Sequence, residues 1–172
     1  MLALEFIDRD SDEDMADARS ATAWLGERRI RSDLPAGAER ALALLRAAIA
    51  DALRSAASGM EPSPASLERL NAASAAAPAA PQVNWASGSR PRSWLTTNAT
   101  PEQHVHALLA RSAIELLAGD DLDLLTVCAA PGCGRLFLAT NSRRLWCSTA
   151  CGNRVRVARH ASRVRTQRPA TG

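Results

Sequence analysis

The chain has four cysteines, all in its last quarter: Cys128, Cys133, Cys147 and Cys151, spaced C-x4-C-x13-C-x3-C. Two pairs on either side of a loop can place four soft ligands at tetrahedral corners about 2.3 Å from a zinc ion. Pro131-Gly132 inside the first pair and Gly134 after it supply the tight backbone that a metal-wrapping turn needs. Cys147 and Cys151 stand at i and i+4, so a helix beginning near Ser148 would aim both sulfurs at one point. The positive end of that helix favours thiolate. Two disulfides would require an oxidising compartment, and no export signal is visible. A redox pair is more often spaced C-x-x-C. A zinc that only holds a small fold together uses the same four ligands; that alternative concerns what the finger is for.

Residues around these ligands carry a resemblance. Cys147-Ser-Thr-Ala-Cys151-Gly152-Asn153-Arg154 resembles the signature of the CGNR zinc finger. The likeness runs back through Cys128-Ala-Ala-Pro-Gly-Cys133-Gly134-Arg135-Leu136-Phe137 and Arg143-Arg144-Leu145-Trp146, and forward through the basic segment Val155 to Arg165. Upstream, Leu2 to Phe6 and the region to about Asp123 are similar in order and patterning to the ABATE domain that normally precedes this finger. The resemblance implies a bacterial, stress-linked transcriptional regulator whose finger binds DNA. In one departure, Ala139 stands where the family usually has an acidic residue after Leu-Phe-Leu, so no role for that carboxylate carries over.

Charge divides the chain in the same place. All 18 acidic residues lie at or before Asp123, and from Thr126 onward nine arginines stand with no acid. The C-terminal part is therefore +9 and the rest −6, which points to an anionic partner at one end only. Lysine is absent, so guanidinium groups do all the cationic work, and these match phosphates and guanine edges bidentately. No apolar run approaches the roughly 20 residues that span a bilayer. The N-terminal stretch is acidic, and the chain reads as cytoplasmic.

The upstream pattern is helical. Leu2, Leu4 and Phe6 permit a short strand or a helical start. Asp8 to Asp17 holds six carboxylates without the spacing or glycine turn of a metal loop, so it reads as a solvated loop and helix start. A helix is expected over 16–29 with Trp24 and Leu25 inward. A longer one is expected over 36–57 with a stripe of Leu42, Leu45, Ile49 and Leu53, stopped at Gly59. Ser63-Pro64 caps a further helix anchored by Leu67 and Leu70. Residues 82–97 alternate around Ser87-Gly88-Ser89 as a small hairpin, with Arg90 and Arg92 at its edge. Thr100-Pro101-Glu102-Gln103 opens a helix with a capping box, burying Val105, Leu108, Leu109, Ser112 and Leu116 and ending at Gly119. His104 and His106, two apart, face different sides and make no metal pair.

The fold expected is mainly α: a helical domain with a small β-hairpin over 1–125, then a four-cysteine, treble-clef-like or ribbon-like zinc finger over 126–172, ending in a basic helix. In the finger, Val127 and Leu136-Phe137-Leu138 form short strands, and Trp146 packs under the metal loop. Gly152 permits close approach, Asn153 bonds across the turn, and Arg135 and Arg154 offset the thiolate charge. Arg156, Arg159, His160 and Arg163 fall at i, i+3, i+4 and i+7 as one cationic stripe. Val157, Ala161 and Val164 offer a modest apolar face for docking on the helices. Arg143, Arg144, Arg154 and Arg165 extend the stripe, with Arg168 beyond it. No phosphate loop or nucleophile elbow occurs, and a four-cysteine site leaves no open position, so no enzymatic activity is expected. Duplex DNA is the expected partner. RNA, an acidic protein surface, a homodimer and a small effector are the alternatives for the two parts.

Overall fold

The computed structural model describes residues 1–8, 17–30, 32–96, 98–141 and 143–167, with the side chains of residues 94, 95 and 164–167 outside the description. Most of the expected loop Asp8 to Asp17, and Arg168, lie outside the described residues.

The chain opens as helix α1 (Leu2–Phe6), not as a strand. Its buried residues are Ala3 and Phe6, with Ile7 buried just past its end, a helical spacing that alternation would not give. The Ala3 N–H donates to Ser112 Oγ at 3.0 Å, and Arg46 Nε donates to the Phe6 carbonyl at 2.7 Å. These bonds satisfy the ends of a helix too short to stand alone. Helix α2 (Ala18–Glu27) is capped by Asp17, whose carboxylate accepts from Ser20 N. Trp24 and Leu25 are buried as expected, and Arg28 lies over the Trp24 ring at 3.9 Å.

Helix α3 (Ala38–Ala57) is the centre of the body. Leu42, Leu45, Ile49 and Leu53 are all buried, each contributing about 1.5–3 kcal/mol by leaving water. Gly59, at φ 68°, takes the left-handed conformation that ends the helix. Helix α4 (Pro64–Ala75) starts at the Ser63 cap, which also donates to Asp51 of α3 at 2.9 Å. Leu70 is buried, but Leu67 is exposed, contrary to the sequence expectation. The inward face runs through Ser66, Leu70 and Ala73, so Leu67 falls one step off it.

Strands β1 (Ala80–Asn84) and β2 (Arg92–Thr96) pair antiparallel, with Ala80 opposite Thr96 and Asn84 opposite Arg92. Every residue of β1 is exposed, so this hairpin stands on the surface. Helix α5 (Pro101–Ala118) carries the expected capping box between Thr100 and Gln103. Val105, Leu109 and Leu116 are buried, but alanines 107, 110 and 113 share the inner face, leaving Leu108 and Ser112 half-buried. Small residues there let neighbouring helices approach closely. Burial lowers the pKa of His106, whose Nε2 has no hydrogen-bond partner among the described residues. Neither histidine belongs to a metal cluster among the described residues.

A 3-10 turn (Asp120–Leu124) leads into β3 (Leu125–Val127), which pairs antiparallel with β4 (Leu136–Leu138). Leu125 is buried in the helical core, and Leu136 and Leu138 pack against it. The final element is α6 (Thr149–Gln167). No helix among the described residues is long and apolar enough to cross a membrane.

Candidate metal centre

The first cysteine pair sits on the β3–β4 hairpin. Cys128 N donates to the Arg135 carbonyl at 2.8 Å, and Cys133 N to the Ala130 carbonyl at 3.0 Å. Gly132 and Gly134 have φ of 72° and 67°, a conformation that side chains resist, so the turn depends on both. The second pair lies where α6 begins. Ser148 Oγ accepts from Cys151 N at 3.3 Å, and the Ser148 carbonyl accepts from Gly152 N at 3.2 Å. A hairpin followed by a helix that begins between the two cysteines of the second pair is the treble-clef-like alternative rather than the ribbon.

All four sulfurs lie within 4.8 Å of one another and all four thiols are free. Cys133 and Cys147 are 3.6 Å apart, Cys147 and Cys151 3.6 Å, and Cys151 and Cys133 3.7 Å. A tetrahedron with arms of about 2.3 Å has edges of about 3.8 Å, so the cluster matches a four-sulfur metal cage. Backbone and side-chain donors point at sulfur: Cys147 N reaches Cys128 Sγ at 3.4 Å, and Arg154 Nη2 reaches Cys151 Sγ at 3.7 Å. The expected charge-offsetting role therefore falls to Arg154. Arg135 instead forms an ion pair with Asp8 at 2.7 Å, joining the finger to the helical body.

Without a cation the four thiols cannot all ionise. Burial and the adjoining cysteines push Cys147 up to about 12, and burial also raises Cys133. At Cys128 burial acts in the same sense but is outweighed by N–H donors from Cys147 and Ala130, which bring it to about 7. A low-pKa thiol at Cys128 beside the raised thiols of Cys133 and Cys147 is an arrangement that a divalent ion converts into metal-bound thiolates.

A small second core surrounds the cage: Cys128, Ala130, Phe137, Cys151 and Val155, with Ala139 and Trp146 packed on it. Trp146 does lie beneath the metal loop. A β-carbon on Gly152 would come within 3.0 Å of Trp146 Cδ1, so this glycine is what lets the indole lie against α6. Asn153 is exposed, and no bond across the turn is found among the described residues. Arg144, which the sequence places in the basic footprint, also braces the backbone of the second cysteine pair. It donates to the Cys147 carbonyl at 3.0 Å and lies 5.2 Å from the centre of the Phe137 ring. Nothing in the sequence distinguishes it from Arg143, and both are exposed.

Beyond Val155 the helix leaves the body. Arg156, Arg159, His160 and Arg163 are exposed, as expected of a cationic stripe. Val157 is 69% exposed and Ala161 is exposed too, so the apolar face does not dock on the helices. The side chains of Val164 and Arg165 lie outside the described residues.

The fold and site together define a helical domain bearing a four-thiol, treble-clef-like metal-binding finger. The ABATE family model, described as "Putative stress-induced transcription regulator", matches residues 2–120, and the CGNR zinc finger model matches residues 125–164. The chain belongs to the ABATE family and carries a CGNR zinc finger. No curated protein matches it.

Proposed function

We propose that the chain is a zinc-dependent, DNA-binding transcriptional regulator, in which the cysteine cage holds zinc and α6 meets duplex DNA. One observation carries this reading. An exposed helix studded with Arg156, Arg159 and Arg163 is fixed at its N-terminus by the cage, and no acidic residue follows Asp123 in the chain. Like charges so placed repel one another unless an anion meets them.

Four thiolates at tetrahedral spacing select zinc among the common divalent ions. Cys128, Cys133, Cys147 and Cys151 would hold it, and with four protein ligands no position stays open for water or substrate. We therefore read the centre as structural and the protein as non-catalytic. Trp146 is packed against Gly152 rather than offered for base stacking, which favours duplex DNA over single-stranded RNA. For an effector, the N-terminal domain offers an open cleft of about 560 Å³ between the end of α4, the β1–β2 hairpin and Gln103.

Anisotropy titrations of the metal-loaded chain against a labelled duplex test the reading. With about six phosphate contacts, the log–log salt slope is near −5, and a chelator abolishes binding. Binding that ignores salt, or none to any duplex, refutes it. A palindromic selected site would identify a dimer.

A further inference from the structure

At about 100° per residue, α6 divides into sectors. Cys151, Gly152 and Val155 form the buried side. Arg156, Arg159 and Arg163 run along one flank, and Arg154 stands on the other. Between the flanks, on the side away from the cage, Asn153 and Val157 fall at i and i+4, about 40° apart, with His160 of the cationic stripe bordering them on the Arg156 side. Ala161 lies beside Val157. Each of these four side chains is exposed, Val157 to 69%. The uncharged strip of Asn153, Val157 and Ala161, bordered by basic side chains on both sides, is not what a merely solvated helix requires. The valine gains nothing from water, and the asparagine amide has no partner among the described residues.

We infer that this strip is the base-reading edge of α6 and that it reads an A·T element in the major groove of B-form DNA, Asn153 pairing with adenine and Val157 meeting the thymine methyl. The inference rests on the DNA-binding reading above and specifies its target. The major groove is about 12 Å wide and admits one helix, with phosphates on both walls. Arg156, Arg159 and Arg163 suit one wall and leave the strip facing the floor, while Arg154, with Nη2 on Cys151 Sγ, turns its remaining N–H donors to the other. The asparagine amide can donate to adenine N7 and accept from N6, and an aliphatic side chain suits the methyl of thymine. Asn153 and Val157 are about 6 Å apart along the helix axis, close to two base steps. Asn153 also lies near the helix N-terminus, the part of a recognition helix that reaches base edges. Duplex RNA is a poor match, because its deep, narrow major groove excludes side chains.

The test uses the full metal-loaded chain. Sequences are selected from random duplexes of about two helical turns at physiological salt, and affinities for the enriched duplex are measured by anisotropy. The expected consensus contains an A·T element. Replacing its adenine by 7-deazaadenine weakens the wild type about tenfold, and replacing its thymine by deoxyuridine weakens it about fourfold. The first loss disappears in Asn153→Ala and the second in Val157→Ala, while both variants keep the salt slope of the wild type. The base analogues probe the unmodified protein, so a folding defect in a variant cannot mimic the result. A consensus without A·T, analogue losses that persist in the variants, or tight binding without sequence preference overturns the assignment of the strip while DNA binding stands. Failure to bind any duplex, or preference for duplex RNA, removes both readings.

Discussion

Replacing Cys147 by serine should unfold the finger and leave the helical body standing. Cys147 Sγ lies 3.6 Å from both Cys133 and Cys151, and its N–H supports Cys128 Sγ at 3.4 Å. A serine hydroxyl does not ionise as a thiol does, so the cage loses a ligand at its best-connected corner. The buried part of the second core has Phe137 and Val155 as its sizeable apolar side chains, with Trp146 partly buried on it, and together these contribute about 4–9 kcal/mol. A structural zinc supplies about 10–16 kcal/mol. The metal term is the larger, so losing it is decisive. The α1–α5 core keeps Leu125 and loses only the edge contacts of Leu136 and Leu138. Three measurements follow: metal content, far-UV circular dichroism and limited trypsin digestion. The variant should hold little zinc and lose the helical signal of a 19-residue helix, comparable to the 18 residues of α5. Trypsin should cut quickly after Arg143, Arg154 and Arg156, while Arg46 and Arg111, bonded to Phe6, Ser74 and Ala77 carbonyls, stay protected. Stoichiometric zinc in the variant, or a metal-stripped wild type with an unchanged digestion pattern, would refute the reasoning.

Metal affinity should climb steeply with pH. Below about 9 both Cys133 and Cys147 are thiols in the empty cage, and binding must expel both protons, so affinity falls at least about 100-fold for each unit of acidification. Below about 7 Cys128 adds a third proton, and a flat profile in chelator competition between about pH 6 and 8 would contradict this. Gly152→Val regains only a few tenths of a kcal/mol of helix propensity but drives a side chain into Trp146, 3.0 Å from the β-carbon. Overpacking of about 1–3 kcal/mol should dominate, seen as faster zinc loss to a chelator. Asp8→Asn removes an ion pair whose members are each 31% exposed, so denaturant unfolding should shift by less than about 1 kcal/mol, and by less still in high salt.

Much of this organisation was legible in the sequence because local signals agreed with the global fold. The stripe of α3, the caps at Ser63 and Thr100, and the cysteine spacing each describe one local geometry, and each is found. What sequence missed depended on tertiary partners. Leu2 to Phe6 fits either period, and Ser112 and Arg46, distant in sequence, hold the helical form. Leu67 and Leu70 look alike until α3 and α5 select one face of α4. Arg135 and Arg144 look like free charges, yet one is taken by Asp8 and the other by the Cys147 carbonyl. Val157 and Ala161 resemble a docking face only because apolar spacing does not say whether a surface is present to dock on. The helix runs past the end of the body instead.

The junction at β3 sets how the two parts can move. Leu125 is anchored among α-helices and Cys128, three residues later, belongs to the cage, a span of at most about 10 Å. So short a tether leaves no swivel, and the Asp8–Arg135 clasp bridges the same seam. The finger is thus an outrigger bolted to its hull: whatever tilts α3 or α5 changes the heading of α6 by the same movement.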